Sequence, residues 1–286
     1  MANELNLDGA ERVEIDGELL RDLPKVNLSR RAIISGLAAG SVFPILSSCT
    51  TNPYTGQTEL AFMGDQQIAS MAASAWTDLK AQTPQTSSAS MKNRVLNVWS
   101  RIESKTPKAG EQWDVAVFDT DDVNAFVMPG NRVGVYRGIV ELVENDDQLS
   151  SVLGHEVGHT VYRHANRRLS RAMLAQGALA AGQVALSTSE TASQYGGAIA
   201  ALGGAAVQFG VILPYSRQSE LEADRAGVDY MHEAGYDVTQ SVRLWQVMDA
   251  NSSGSRQPEF LSTHPHPSTR IDELVRYINA KGYALM

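Results

Sequence analysis

His155-Glu156-Val157-Gly158-His159 decides how this chain is read. Around it Leu149, Val152, Leu153, Val157, Thr160 and Val161 recur at helical spacing. The pentad is therefore predicted to lie on an amphipathic helix, with Asp146 or Asp147 as its N-cap. Residues four apart on a helix sit one turn above each other, so both imidazoles can converge on a single ion. Glu156 is rotated to the side, within reach of a water at that ion but not competing as a ligand. Hydrolytic zinc chemistry requires that arrangement, with Glu156 as general base.

Two imidazoles do not complete such a site; a third protein ligand is needed, with one position left open. Downstream, Ser216-Arg217-Gln218-Ser219-Glu220-Leu221-Glu222-Ala223-Asp224 opens another helix. Glu220 and Asp224 share a face, while Glu222 points elsewhere. Glu220 is expected to ligate zinc, and Asp224 to accept a hydrogen bond from a ligand histidine. The chain has one cysteine, so neither a disulfide nor a cysteine-rich metal site can form within it. The expectation is one Zn2+ per chain, held by His155, His159 and Glu220.

Composition sets the frame. Of 286 residues, 43% are hydrophobic and 20% charged, enough apolar material for a proper core. A net charge of −8 argues against nucleic acid as a partner, because phosphate binding needs a basic face.

Residues 1–48 read as an address. The first 28 are polar with seven acidic side chains, and Ser29-Arg30-Arg31-Ala32-Ile33-Ile34 then leads into an uncharged stretch to Ser48. A basic pair before a short apolar region marks an export signal, and paired arginines (Arg30, Arg31) point to the twin-arginine route. The stretch is short, Gly/Ala-diluted and broken by Pro44, a poor permanent span. Leu46-Ser47-Ser48-Cys49 resembles a bacterial lipobox, in which Cys49 would carry the lipid and become the new N-terminus. Thr50 rather than Asp after the cysteine favours the outer membrane. The predicted protein is thus exported, periplasmic and lipid-anchored, with a single domain over 49–286.

Along that domain, residues 52–62 read as a surface turn region. Asp65 to Leu79 reads as a helix, and a second carries Met91, Val95, Val98, Trp99 and Ile102 on one face. Trp113–Phe118 and Arg132–Tyr136 alternate as strands, and from about 139 onward the pattern is helical. Gly196–Leu213 has only Gln208 as a clearly polar residue and reads as a close-packing helix rather than a span. The fold class is α+β, mostly helical, with a small sheet.

Taken together, His-Glu-x-x-His and Ser-Arg-x-x-Glu-x-Glu-Ala-Asp resemble the gluzincin metalloprotease family of HtpX, the CAAX prenyl proteases, BepA, LoiP and the mitochondrial Oma protease. Asn124-Ala125-Phe126-Val127-Met128-Pro129-Gly130 is similar to that family's Asn-Ala-Phe-x-x-Pro-Gly segment. Asn52-Pro53-Tyr54-Thr55-Gly56 resembles the mature start of its lipoprotein and Oma branch. The resemblance implies a zincin-type catalytic domain with an exposed edge strand. Asn124, Ala125, Phe126 and Pro129 would receive an extended peptide there by main-chain pairing. Asn131 replaces a common second glycine, and asparagine tolerates the left-handed conformation required. His264 and Arg270 resemble a His…Arg pair in which the histidine approaches the zinc and the arginine lies near the catalytic centre. A zinc plug, a transition-state stabiliser and a plain loop histidine remain open for His264. His164 reads as structural, and His232 and His266 as surface residues.

The resulting expectation is a zinc-dependent endopeptidase acting on polypeptides, misassembled envelope proteins by the family's implication, with oligomerisation open. A chaperone-like binder using the same edge strand is the alternative, and a zinc aminopeptidase a nearer rival. An intact Glu156 favours the hydrolase.

Overall fold

A computed structural model of the chain describes residues 49–173, 215–251, 259–264 and 267–283. The predicted export signal with Arg30 and Arg31, most of the Ala/Gly-rich stretch including 196–213, and His266 lie outside the described residues. Among the described residues no helix is long and apolar enough to cross a membrane.

The chain enters as a hairpin, β1 (Cys49–Thr51) against β2 (Thr58–Leu60). The helices α1 (Asp65–Gln82) and α2 (Ala89–Glu103) follow, as their apolar spacing predicts. Ser88 caps α2, its side chain accepting from the Met91 amide. Three strands come next: β3 (Asp114–Phe118), β4 (Ala125–Met128) and β5 (Arg132–Tyr136). Their order is β3-β5-β4, with β3 parallel and β4 antiparallel to the central β5. The tight β4–β5 turn needs two residues of positive φ, supplied by Gly130 (φ 84) and Asn131 (φ 61).

The remainder is helical: α3 (Arg137–Leu142), α4 (Asp146–Val161), a run over 164–173, α5 (Arg217–Glu233), α6 (Thr239–Ala250), α7 (Glu259–Thr263) and α8 (Pro267–Lys281). The mostly helical α+β expectation holds. The pentad helix α4, however, is not amphipathic in its surroundings. It is buried from Gln148 to His159, because α2, α5, α6 and β4 pack around it. Its N-cap is Asn145, whose side chain accepts from the Gln148 amide; Asp146 and Asp147 occupy the first turn instead.

The core runs from α2 through β5 and α4 to α6 and α8, with Val95, Ile102, Val133, Val152, Leu153 and Met248 almost wholly buried. A smaller aromatic cluster joins α1 to the sheet, with the Trp76, Phe118, Phe126 and Tyr136 rings meeting edge to face. Gly134 makes room for it: a Cβ there would stand 2.2 Å from the Phe126 ring.

The expected surface turn over 52–62 is found, with Pro53, Gly56, Gln57 and Thr58 exposed, but Asn52 at its start lies inside. Asn52 is fully buried, and its Nδ2 donates to the Val161 carbonyl at the end of α4 and to Glu59. Its Oδ1 accepts from the Tyr54 and Thr55 amides. One asparagine side chain thus folds the loop and caps the pentad helix, a long-range contact that local turn propensity does not reveal.

Candidate active site

Close backbone approach brings the two ligand-bearing helices together. Gly154 and Gly158 of α4 face Gly227 and Ala223 of α5. A Cβ on Gly227 would stand 2.9 Å from the His155 nitrogen, and one on Gly158 3.0 Å from the Ala223 carbonyl. At that spacing Glu220, in the first turn of α5, reaches the imidazoles of α4.

Four ligand atoms meet at one buried point. The Nε2 atoms of His155 and His159 are 2.9 Å apart, and His264 Nδ1 lies 3.1 Å from the first. Glu220 carboxylate oxygens lie 3.2 Å from His264 and 3.5 Å from each of the other two rings. Ligands at 2.0–2.1 Å from a tetrahedral zinc stand about 3.3 Å from one another. The spacing in the chain matches that value. The hydrogen bonding agrees: His155 Nδ1 is 3.0 Å from Asp224 Oδ1, which accepts from a ring N–H at Nδ1. His155 therefore turns a lone pair, not an N–H, toward the shared point. A metal cation fits that convergence.

Glu156 sits beside the cage and is not part of it. Its Oε2 accepts from the Val127 amide at 3.1 Å, and Oε1 is 3.3 Å from His264 Nε2. Burial pushes its carboxyl up to about 7, against the opposing pull of His264. The histidines respond in the other sense. Burial, aided by the Arg270 charge, lowers His155 to about 4. Burial likewise holds His159 well below its ordinary value. Neutral imidazoles are the form that binds metal.

Arg270, fully buried in α8, lies behind the ligands. It donates from Nε to Asp224 Oδ2 at 2.7 Å, pairs through Nη1 with Glu220 Oε2 at 2.6 Å, and stacks over Trp245. Burial alone would raise the Asp224 and Glu220 carboxyls, but Arg270 overcomes it and holds both below their usual range. The arginine therefore keeps the third ligand ionised, and its Nη2 also lies 3.1 Å from Nδ1 and 3.4 Å from Nε2 of His155. Tyr215 stacks on His159, with centroids 4.0 Å apart.

β4 occupies the edge of the sheet next to α4. Its Asn124 carbonyl accepts from the Tyr136 amide, and Phe126 and Met128 pair in the same phase with β5. Ala125 and Val127 consequently turn their backbone groups to the free edge. Asn124 is buried, and its Oδ1 has no hydrogen-bond partner among the described residues. Phe126 instead sends its ring into the aromatic cluster. Pro129 precedes the turn, its carbonyl accepting from Arg132.

Glu222 and His164 are the residues whose contacts sequence spacing missed. The chain breaks after α4 at Arg163, whose left-handed backbone (φ 52) costs about 1–2 kcal/mol for a side chain of this kind. That turn swings His164 back against His159, where continued helix would carry it away. Cys49 is exposed in β1.

Comparison with known proteins agrees with this geometry. Peptidase family M48 matches residues 86–278. The chain is 32% identical over 187 residues to the mitochondrial metalloendopeptidase OMA1 of Schizosaccharomyces pombe, covering 64% of this chain and 52% of that protein. It is 36% identical over 173 residues to the mitochondrial metalloendopeptidase OMA1 of Bos taurus, covering 58% and 32%. It is 24% identical over 241 residues to the beta-barrel assembly-enhancing protease of Escherichia coli K12, covering 84% and 50%. The chain spans about half the length of these relatives, or less. With the match running over well over half of its length, and four buried donors set for one metal, the chain belongs to the zinc-dependent peptidase family M48.

Proposed function

We propose that the protein is a zinc metalloendopeptidase that cleaves polypeptides laid along β4. The observation that carries this reading is the four-donor cage of His155, His159, Glu220 and His264 with Glu156 beside it. Zinc, when bound, polarises the scissile carbonyl and lowers the pKa of water toward neutrality.

The chain's own residues do the rest. Ala125 and Val127 pair with the peptide backbone along the free edge of β4. Pairing takes over the Val127 amide and releases Glu156. Glu156 then removes the proton of the attacking water and passes it to the departing amine. Arg270 and Asp224 hold Glu220 and His155 in place throughout.

His264 fills the fourth corner of the cage, the position a hydrolase leaves for water. We read this as a latent arrangement in which His264 must withdraw before cleavage. Export of a folded precursor through the twin-arginine route, with residues 1–48 as the signal, makes such latency useful. Cys49, exposed three residues before the buried Asn52, is the proposed lipid site. An outer-membrane anchor and misassembled envelope proteins as substrates complete the proposal, together with similarity to a beta-barrel assembly-enhancing protease.

The test is zinc content and casein cleavage of the purified protein beside its Glu156→Gln and His264→Ala variants. One zinc per chain is expected, with chelator-sensitive cleavage that falls roughly 10²–10⁴-fold in Glu156→Gln. His264→Ala should cleave faster than wild type. Cleavage by Glu156→Gln at the wild-type rate would refute the general-base assignment. Zinc without cleavage in both wild type and His264→Ala would leave a chaperone-like binder as the better reading.

A further inference from the structure

We propose that His164 and Glu222 form, with His159, a hydrogen-bonded chain that keeps the His159 proton on Nδ1 and aims its Nε2 lone pair at the metal. His164 would then be a positioning residue for the second histidine ligand. The inference rests on the zinc reading above.

The chain of contacts is continuous, buried at His159 and His164 and reaching partial exposure at Glu222. His159 Nδ1 is 2.8 Å from His164 Nδ1, and His164 Nε2 is 2.9 Å from Glu222 Oε2. Arg167 donates to that same oxygen at 2.6 Å, and Gln218 donates to Oε1 at 2.9 Å. His164 is buried with its ring against Tyr162, so no water competes for either nitrogen.

With both rings neutral, the form that binds metal, these contacts leave one proton arrangement. An ionised carboxylate only accepts, and Arg167 beside it keeps Glu222 ionised, so His164 carries its proton on Nε2. Its Nδ1 is then a lone pair. Two ring nitrogens at hydrogen-bond distance need one donor, so the facing His159 Nδ1 must hold the proton. His159 Nε2 is left as a lone pair directed at the cage, 2.9 Å from its counterpart on His155. Orientation is thus set from the outside inward, in three links.

His155 is held differently. It meets the carboxylate of Asp224 directly, without an intervening ring. The two helical ligands therefore have unequal supports, one a carboxylate and one a neutral imidazole backed by a carboxylate. Glu222 on α5 also ties the segment after α4 to the helix that carries Glu220, so one face of α5 supplies a ligand and another orients a ligand.

The test is zinc affinity of the full chain in detergent, measured by competition with a fluorescent chelator, with thermal unfolding of the metal-free form as a fold control. Three substitutions separate orientation from packing. In His164→Asn a side-chain oxygen stands near the position of Nδ1 and can accept from His159. His164→Gln reaches the Nε2 position and Glu222 but leaves His159 without its acceptor. His164→Phe fills the space with neither bond.

Expected is a loss of about 10- to 100-fold in zinc affinity for Phe and Gln, with Asn within about threefold of wild type. The cobalt-substituted protein should show the same order as a shifted visible absorption band. Zinc affinity of His164→Phe within about twofold of wild type would overturn the proposal, as would equal losses in Asn and Gln. Should the Phe variant fail to fold, the Asn–Gln comparison decides alone. A Glu222→Leu variant that binds zinc like wild type would remove the outer link. Wild-type protein that takes up no zinc would sink the enzyme reading and this one with it.

Discussion

The Val127 amide donates to Oε2 of Glu156 across 3.1 Å, so the proposed general base and the proposed peptide platform hold each other. The N–H concerned points away from β5, and the sheet does not use it. Strand position 127 therefore serves Glu156 rather than the ladder.

Val127→Pro should expose that distinction. Proline on an edge strand is tolerated where its missing N–H faces outward. Zinc content should change little, and stability should fall by about 1–3 kcal/mol as Glu156 loses its buried donor. The kcat/KM for a peptide substrate should fall about tenfold or more through the lost pairing. Unchanged kcat/KM would mean that substrates do not pair with β4 at Val127.

Glu156 should leave a pH signature in protein stripped of divalent ions. Burial raises its carboxyl from 4.5 to about 7, so the folded chain binds this proton more tightly than the unfolded one. The stabilisation is complete below about 4.5 and is lost as pH rises through about 7. Glu156→Gln, which cannot ionise, should gain on wild type by about 2–3 kcal/mol between pH 5 and pH 8 in urea unfolding. A difference that stays constant with pH would contradict this account of the buried carboxylate.

Gly227→Ala tests the spacing of the two ligand helices. The new methyl would stand 2.9 Å from the His155 nitrogen and 3.1 Å from the Gly154 carbonyl carbon, neither of which is a flexible side chain. Overpacking of this kind costs about 1–3 kcal/mol. Zinc affinity should fall as well, because Glu220 is carried on the displaced helix. A variant with wild-type Tm and wild-type zinc affinity would show that the helices have slack between them.

Asn52→Ala should destabilise the fold from its opposite end. The substitution leaves the Val161 carbonyl and Glu59 without their buried donor, at about 1–3 kcal/mol for each unsatisfied group. A fall in Tm of roughly 5–15 °C is expected by calorimetry. A shift under about 2 °C would mean that water replaces the side chain without loss.

Much of the site was legible before any coordinates, for a physical reason in each case. His155 and His159 share a helix face because four residues is close to one turn, and Glu220 and Asp224 obey the same rule. The edge strand Ala125–Met128 was legible only through the family resemblance of Asn124–Gly130, because four residues are too short for an alternation to stand out. The helices α1 and α2 and the strand β5 followed from apolar period.

What stayed illegible is what depends on partners far away in sequence. Burial of α4 on nearly all sides comes from elements distant in sequence, so a helix that reads as amphipathic is core, Ser150 and Ser151 included. Asn52 looked like a turn residue because its partner, Val161, lies 109 residues on. Arg270 carried no local signal of its bonds to Asp224 and Glu220, which form only once α8 packs on α5. His164 was hidden by a single left-handed residue, Arg163, that no periodicity anticipates.

The sequence by itself determined which side chains can make a metal site, since helical spacing is a local property of the backbone. Only the tertiary structure decided how those side chains are charged, oriented and opposed. Those properties arise from burial and from ion pairs between distant segments: Arg270 against Asp224, Glu222 against His164, and His264 in the fourth corner beside Glu156.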